Sequence, residues 1–389
     1  MRKDAVVMSD LTSDQVNAYD VCKEFIDKDP HKGFITITGY AGTGKTTVLA
    51  YVYDYLVSHK QQRVAVMSYT GKSVTVLRSK GILGAMTIHS SIYDYRRDEN
   101  NNLVSFIKSD FQYDWIIIDE YSMINEQLFS DIKALQVPII LFGDNYQLPP
   151  PSGIQNNLVS DYTMHDIVRQ KGMLVKYSTE IRLHGYESVA AHGWYKDNDD
   201  DELVIVTDLN SLSSVLNELK LHTLDYQFLC YTNKTRFMYN NSIRTQYVSN
   251  STDPTKNDKL IATKNIWMEG IVNGYTYKVL QSDSCIYKDY NVYKVKTLTF
   301  DGFVKDMYIE SLRLSDPSIK HEKLPSDIIE MDYAYCMTVH KSQGSEWDNI
   351  IIIDDYPSFS KVNDPESYNR WLYTAITRSR SIAILVRNI

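Results

Sequence analysis

Three things are scarce in this chain, and each scarcity closes off a class of function. No apolar run approaches the ~18 residues of a membrane-crossing helix. The start, Met1-Arg-Lys-Asp-Ala-Val-Val-Met8, lacks the longer apolar core of a secretion signal. No membrane role is therefore expected, and the expected location is the cytoplasm. Cysteine is rare: Cys22, Cys230, Cys285 and Cys336 lie far apart with no C-x-x-C pair, so no disulfide scaffold is expected and the thiols should be reduced and buried. An excess of positive charge is also missing. Against 49 Asp+Glu there are 41 Lys+Arg, a net charge of −8, which excludes a broad basic face and confines any nucleic-acid site to a local groove.

What is present is ordinary in bulk. The 389 residues, 43% hydrophobic and 23% charged, describe a globular chain of two to three domains with ample room for cores. Thirty tyrosines offer faces on which bases can stack, although most tyrosines are packing residues.

The organising stretch is Gly33-Phe-Ile-Thr-Ile-Thr-Gly39-Tyr-Ala-Gly-Thr-Gly44-Lys45-Thr46-Thr47. A β-branched strand (Phe34 to Thr38) leads into a glycine-rich turn and a helix running from Lys45 towards His59. The spacing G-x-x-x-x-G-K-T in that context is the phosphate-binding loop. Gly39, Gly42 and Gly44 let the backbone fold around an anion, with N–H groups and the helix start aimed at phosphates. Thr43 and Thr47 complete the loop, Lys45 can reach the β- and γ-phosphates, and the Thr46 hydroxyl can ligate Mg²⁺. The chain is expected to bind a nucleoside triphosphate.

Around this loop the pattern alternates. A helix is expected over 11–28. The short apolar runs Val64–Met67, Trp115–Ile118 and Ile139–Phe142 read as strands buried on both faces of a parallel sheet, with helical patterns between them. Ser90–Tyr113 breaks the alternation with two short strands around a polar tip, an inserted hairpin. The charge block from Tyr195 reads as a solvated loop or domain junction. A second α/β segment follows, with strands expected at Gln227–Cys230, Tyr333–Met337, Ile350–Ile353 and Ser381–Val386. A β-rich insertion lies between about Lys264 and Ser326. No clear sequence repeat links the two α/β segments.

Trp115-Ile-Ile-Ile-Asp119-Glu120 delivers two carboxylates at a strand end. Behind a phosphate loop, Asp119 is the expected Mg²⁺ ligand and Glu120 the group that polarises the attacking water. Gly143-Asp-Asn-Tyr-Gln147 again places polar groups at a strand end, with Gln147 suited to contact the γ-phosphate. Arg378, at the end of the helical stretch from Arg370, could stabilise the transferring phosphoryl group. Arginine at a helix C-terminus is also ordinary dipole compensation, so the residues alone leave it open.

Taken in order, the motifs resemble superfamily 1 DNA helicases, especially the RecD-like and phage Dda-type subgroup. The segments that carry the resemblance are Leu11-Thr-x-x-Gln15, Gly39 to Thr46, Tyr69-Thr70-Gly-Lys72, Thr87-Ile-His89-Ser, Asp119-Glu120-Tyr-Ser and Gly143-Asp-x-x-Gln147-Leu-Pro-Pro. The carboxyl half adds Ile167-Val-Arg169-Gln, Tyr231-Thr232-Asn233, Asn240-x-x-Ile-Arg244, Val272-Asn273-Gly274, Thr338-Val-His340-Lys-Ser-Gln343-Gly344-Ser-Glu346 and Tyr373-Thr-Ala-Ile-Thr377-Arg378. Ser68-Tyr69-Thr70 stands where Ala-Pro-Thr is usual, and Tyr121 replaces a small aliphatic residue.

The resemblance implies an α/β fold of two RecA-like P-loop domains, with a β-hairpin inserted in the first and a small SH3-like β-barrel in the second. The expected boundaries are 1–89 and 114–185 for the first domain, 90–113 for the hairpin, 186–272 and 327–389 for the second domain, and 273–326 for the barrel. It implies Mg²⁺ and ATP in the cleft between the domains, with Gln15 reading the adenine edge. Gln147, Arg169 and Arg378 would line the γ-phosphate, Gln343 and Gly344 would contact phosphate, and Glu346 the ribose. Single-stranded DNA would meet Thr70, Lys72, Thr87, His89, Thr232, Asn233, Thr338 and His340, mostly through its sugar–phosphate backbone, as suits a motor that must step over any base. The hairpin would act as a strand-separating pin whose wedge is Leu103, Val104 or Phe106, Phe106 being best suited to stacking.

The function so implied is a 5′→3′ DNA helicase or translocase. The partners would be single-stranded DNA, junctions with duplex, and a single-stranded DNA-binding or replication protein. A monomer is expected, in host cytoplasm if phage-encoded. A translocase that strips bound proteins and an RNA-directed relative stand as alternatives, with a non-motor P-loop protein as a different class.

Overall fold

Strands buried on both faces and followed by helices build a main sheet in each unit, and these sheets position most of the site residues. The computed structural model describes residues 11–97, 103–150, 158–168, 172–189, 191–196, 202–264, 266, 271, 273–299, 304–310, 324–325 and 327–387. The chain divides into two compact units, Met1–Lys171 and Gly172–Ile389.

The first unit contains α1 (Ser13–Asp27), β1 (Phe34–Gly39), α2 (Lys45–Asp54), β2 (Val64–Ser68), α3 (Gly71–Ser79), β3 (Met86–Thr87) and α4 (Ile88–Ile92). The hairpin β4 (Tyr93–Arg97) and β5 (Leu103–Ile107) follows, then β6 (Trp115–Asp119), α5 (Glu126–Lys133), β7 (Ile139–Gly143) and β8 (Tyr162–Met164). The sheet order is β3-β2-β6-β7-β1-β8, and all its pairings are parallel. Alternation along β6 explains the unbroken apolar run. Ile117 packs with Val48, Leu49 and Val52 of α2, while Ile116 and Ile118 pack with Leu128, Phe129 and Ile132 of α5. Each fully buried side chain of this kind contributes roughly 1.5–3 kcal/mol.

The second unit contains α6 (Met173–His184), β9 (Gly193–Lys196), β10 (Leu203–Asp208), α7 (Leu212–Glu218), β11 (Gln227–Cys230), α8 (Asn233–Tyr247) and β12 (Lys259–Ala262). Next come β13 (Thr276–Tyr287), β14 (Tyr290–Thr299), β15 (Val304–Glu310), β16 (Ile328–Ile329), β17 (Met331–Tyr333) and β18 (Cys336–Thr338). The unit ends with α9 (Val339–Ser342), β19 (Trp347–Asp354), α10 (Ser358–Asn363), α11 (Pro365–Ile376) and β20 (Ser379–Arg387). Its main sheet runs β18-β11-β19-β20-β10-β9, parallel except at the edge strand β9.

The sequence expectations needed four adjustments. The division between units falls before α6, not after residue 185, because Leu174, Tyr177 and Ile181 of α6 are buried and the helix packs on α11 and β10 within the second unit. Tyr195 and Lys196, read as the start of a solvated charge block, belong to β9, which pairs with the buried strand β10; residues 197–201 lie outside the described residues. The β insertion is wider than expected, since β12, β16 and β17 join β13–β15 in one sheet of order β16-β15-β14-β13-β12-β17. Its two edges are consecutive pieces of one extended stretch, Ile328–Tyr333, pairing with β15 on one side and β12 on the other, so the sheet curls until its edges meet. For the same reason Tyr333–Met337 is not one strand: Tyr333 ends β17 and Cys336 begins β18 in the main sheet.

Candidate nucleotide and DNA sites

In the first unit the phosphate loop, Asp119-Glu120 and the Asp144–Gln147 turn lie at the carboxyl ends of parallel strands, where open α/β sheets bind ligands. The phosphate loop leaves β1 at Gly39. Gly44 caps α2 with φ 85°, a left-handed conformation that favours glycine, and a side chain there would collide with the Gln15 carboxamide. Thr43 is fully buried and its Oγ1 donates to the Tyr40 carbonyl at 2.9 Å. Gly42 takes φ 86°, and Thr47 N donates to Gly44 O at 2.8 Å in the first turn of α2. The Lys45 ammonium donates to the carbonyls of Gly39 (2.8 Å) and Tyr40 (2.9 Å), which holds it at the loop.

Asp119 and Thr46 meet: Thr46 Oγ1 donates to Asp119 Oδ2 at 3.1 Å. Burial first, and then the Glu120 charge, push the Asp119 carboxyl well above the usual carboxylate range, so this acidic corner favours a nearby cation. A magnesium ion fits it, because hydroxyl and carboxylate are hard oxygen donors and two protein ligands leave the remaining octahedral positions to phosphate and water. Among the described residues no group of three or more His, Cys, Asp or Glu could hold a metal without such help. Glu120 sits at φ 60°, ψ 44°, a left-handed conformation that costs a non-glycine residue about 1–3 kcal/mol and tends to occur at functional sites. Its Oε2 is buried with no hydrogen-bond partner among the described residues, as is Oε1 of Gln147. Gln147 Nε2 is held by Asp144 Oδ2 at 3.2 Å.

Gln15 is engaged with the loop itself. Its Nε2 donates to Thr43 O at 2.9 Å, and its Oε1 accepts from Thr12 N at 3.1 Å in a capping box that starts α1. Each end keeps one further hydrogen-bonding position for an adenine edge. Val168 N donates to Gly42 O at 2.9 Å; Arg169 lies outside the described residues.

In the second unit Arg378 is 3% exposed. Its guanidinium donates to Thr374 O (3.0 Å), Ser345 O (3.5 Å) and Thr377 Oγ1 (3.3 Å), and no carboxylate pairs with it among the described residues. Gln343 is buried, Gly344 has φ 74°, and Glu346 Oε2 pairs with Arg380 Nε at 3.3 Å.

The four threonines expected at DNA share one local role. Thr70, Thr87, Thr232 and Thr338 are the N-caps of α3, α4, α8 and α9, accepting from the backbone N–H of Ser73, Ser90, Thr235 and Lys341; such a cap is worth about 1 kcal/mol. Lys72 follows in the first turn of α3, partly exposed, and Asn233 opens α8, its Oδ1 accepting from Arg236 Nε at 3.1 Å. The histidines each meet a tyrosine. His89 lies 5.8 Å from the Tyr69 ring and 5.9 Å from Tyr93, and His340 lies 6.2 Å from Tyr231. This packing desolvates both imidazoles and lowers their pKa, so both are neutral near pH 7.

The hairpin root is fastened to the first unit: Tyr93 OH donates to Asp131 of α5, and Lys108 Nζ to Ser90 O at 2.9 Å. Phe106 is 51% exposed but sits opposite Asp94, one step from the root pair Tyr93–Ile107, and not at the tip as expected of a wedge. Val104 is partly buried. The tip, residues 98–102, and the Leu103 side chain lie outside the described residues.

Two groups escaped the sequence reading. Tyr40, Tyr146 and His165 cluster beside the phosphate loop, with Tyr40 5.7 Å and 5.6 Å from the other two rings. The signal was an aromatic residue inside the loop. Asp355 accepts from Tyr231 N (2.6 Å), Thr232 N (3.0 Å) and Thr232 Oγ1 (2.6 Å), and so fixes the Tyr231-Thr232 turn. Its signal was a second acidic pair after an isoleucine run.

Two parallel sheets, the first ending in a phosphate loop that faces an acidic pair, define the class: a tandem RecA-like P-loop ATPase fold. The family model described as an AAA domain matches residues 23–152, and that of the UvrD-like helicase C-terminal domain matches 333–386. The chain is 27% identical over 193 residues to the ATP-dependent DNA helicase Dda of Enterobacteria phage T4, covering 46% of this chain and 44% of that protein. It is 23% identical over 375 residues to the ATP-dependent RecD2 DNA helicase of Deinococcus radiodurans, covering 89% of this chain and 46% of that one. The chain thus spans just under half the length of these two relatives. A solved structure of Bacteroides Pif1 bound to single-stranded DNA is similar in fold, with a TM-score of 0.59 at 17% identity over 96% of this chain and 92% of that one. The likenesses of this chain are thus to superfamily 1 helicases of the Pif1/RecD/Dda-like group, and its two-domain RecA-like fold is similar to that of Pif1.

Proposed function

We propose that the chain is an ATP-driven DNA helicase or translocase that moves 5′→3′ along single-stranded DNA. The observation that carries this reading is the acidic corner of the first unit, where Thr46 and Asp119 meet at 3.1 Å while Glu120 Oε2 and Gln147 Oε1 stay buried without partners among the described residues. Those are groups in place to act on a terminal phosphate and its attacking water. The phosphate loop and Lys45 bind the triphosphate. Glu120 polarises water for attack, and Gln147 senses the γ-phosphate. Mg²⁺, held by Thr46 and Asp119, would neutralise charge on the phosphates. Arg169 and Arg378 are proposed as the arginines that stabilise the transferring group, with Gln343 and Gly344 on phosphate, Glu346 on ribose and Gln15 at the adenine.

DNA is the proposed track because the four threonine caps with Lys72, Asn233, His89 and His340 offer short donors suited to a sugar–phosphate backbone and no base-reading set. The relatives' names, ATP-dependent DNA helicases, support the same substrate. The 5′→3′ direction, the SH3-like character of the barrel, the pin role of the hairpin and the monomeric state rest on the subgroup resemblance. So does a single-stranded DNA-binding or replication protein as partner.

Strand displacement on forks with a 5′ or a 3′ single-stranded tail, made of DNA or RNA, tests the reading. Mg-ATP-dependent unwinding of the 5′-tailed DNA fork is expected. No unwinding of any fork, with single-stranded translocation intact, would convert the assignment to a protein-stripping translocase, and unwinding of the RNA forks alone to an RNA helicase. Absence of DNA-stimulated hydrolysis would remove the motor reading altogether.

A further inference from the structure

A large tyrosine directly follows the acidic pair, and the glycine ending β7 has no room for a side chain. These are one feature. Tyr121 is 2% exposed, and a Cβ at Gly143 would lie 2.5 Å from Tyr121 Cδ1 and 2.8 Å from Cε1, closer than carbon atoms pack. The glycine lets the ring slide across the end of β7, where the Tyr121 hydroxyl donates to Asn145 Oδ1 at 2.5 Å. Burial raises the Tyr121 pKa, so the phenol keeps its proton and remains the donor.

Each end of this link reaches a group that would act on ATP. Asn145 lies in the turn where Asp144 Oδ1 accepts from Tyr146 N at 2.9 Å and Asp144 Oδ2 from Gln147 Nε2 at 3.2 Å. On the other side Tyr121 is covalently joined to Glu120 and opens the short turn Tyr121–Met123, in which Met123 N donates to Glu120 O at 3.2 Å. A non-glycine residue stays in the left-handed region only where its surroundings over-determine it. For Glu120 those surroundings are Asp119 Oδ1, which accepts from Glu120 N at 3.1 Å, and the anchored ring of Tyr121.

We propose that Tyr121 is a positioning residue that locks Glu120 to the Asn145–Gln147 turn, so that the water-polarising carboxylate and the γ-phosphate-sensing carboxamide keep a fixed relation. This rests on the reading of Glu120 and Gln147 given above. A tyrosine that only filled the core would tolerate phenylalanine, because the ring carries the packing; the lock needs the hydroxyl.

Tyr121→Phe in the full chain, assayed for single-stranded-DNA-stimulated ATP hydrolysis, fluorescent-nucleotide affinity and thermal unfolding, separates the two. The expected result is nucleotide affinity and KM within about twofold of wild type and a kcat about tenfold lower, the pattern of an interaction used in the transition state. Asn145→Ala should give a similar fall, and the double variant no further one, since both remove the same link. Wild-type kcat in Tyr121→Phe, a lower Tm with kcat unchanged, or losses that multiply in the double variant would each overturn the proposal. A wild-type chain that hydrolyses no ATP is a different failure, because it overturns the reading of Glu120 and Gln147 on which the lock depends.

Discussion

Lys45 holds its ammonium against the carbonyls of Gly39 and Tyr40, so its charge is committed to the phosphate loop. Lys45→Ala should lower ATP hydrolysis by about 10² or more, the usual loss when one preorganised charge-stabilising donor is removed, while single-stranded DNA affinity stays near wild type; a filter-binding and turnover comparison checks both. This residue was legible because its chemistry is local: the spacing of glycines and lysine is the site. Asp355 was not, although it does as much for its own neighbourhood. Its carboxylate takes both backbone N–H groups and the hydroxyl of the Tyr231-Thr232 turn, a partnership across more than a hundred residues that no local pattern announces. Asp355→Ala should weaken single-stranded DNA binding about tenfold, by freeing a turn held by charge-assisted hydrogen bonds, and should leave DNA-independent hydrolysis unchanged. Fluorescence anisotropy on an oligonucleotide reads the first and a coupled ATPase assay the second. Equal anisotropy curves would confine Asp355 to folding.

At the scale of elements, the sheets reveal a repeat that the sequence reading missed. The orders β3-β2-β6-β7-β1 and β18-β11-β19-β20-β10 correspond strand for strand. On equivalent strands Tyr69-Thr70 answers Tyr231-Thr232, Thr87-Ile-His89 answers Thr338-Val-His340, and Ile116-Ile-Ile-Asp-Glu-Tyr121 answers Ile351-Ile-Ile-Asp-Asp-Tyr356. The echoes are short and, although they follow the same chain order in the two units, their spacing differs, because β12–β17 separate β11 from β18 whereas the hairpin separates β3 from β6; only the sheet aligns them. The duplicated position also diverges in use. Among the described residues Glu120 leaves an oxygen unpartnered, whereas Asp355 spends its oxygens on the neighbouring turn. The hairpin has no counterpart in the second unit's matched strands. Its root is tied by Tyr93 to Asp131 and by Lys108 to Ser90, and Phe106 is left exposed beside it. Phe106→Ala should leave DNA-stimulated hydrolysis near wild type and cut unwinding of a fork several-fold, since a stacking aromatic is worth about 1–3 kcal/mol per base. Parallel loss of both activities would assign Phe106 to DNA loading and not to strand separation.

For the whole molecule, the sequence conveyed two α/β units and a β insertion, because buried parallel strands advertise themselves as unbroken apolar runs. It misplaced the borders, because α6 could pack in either unit by its own pattern and because β12, β16 and β17 are too short to be told from loops. In the proposed reading Arg378 acts on the transferring phosphoryl group, and it is the residue at which that reading is most exposed. It is a buried cation without a carboxylate among the described residues, oriented by the carbonyls of Thr374 and Ser345 and by the Thr377 hydroxyl. A buried positive charge without a counter-ion favours an anion beside it, and in the proposed reading that anion is a phosphate. Arg378→Lys keeps the charge but loses the planar fork that those three acceptors orient. If Arg378 stabilises the transferring phosphoryl group, the variant should bind ATP and single-stranded DNA near wild-type affinity and hydrolyse about 10³ or more times slower, in the range known for arginine fingers. If Arg378 only fastens the end of α11 to the turn at Ser345, Arg378→Lys should instead lower the unfolding temperature while turnover per folded molecule persists. Stopped-flow phosphate release alongside a thermal melt distinguishes the two, and persistent turnover would leave the first unit to hydrolyse ATP without Arg378.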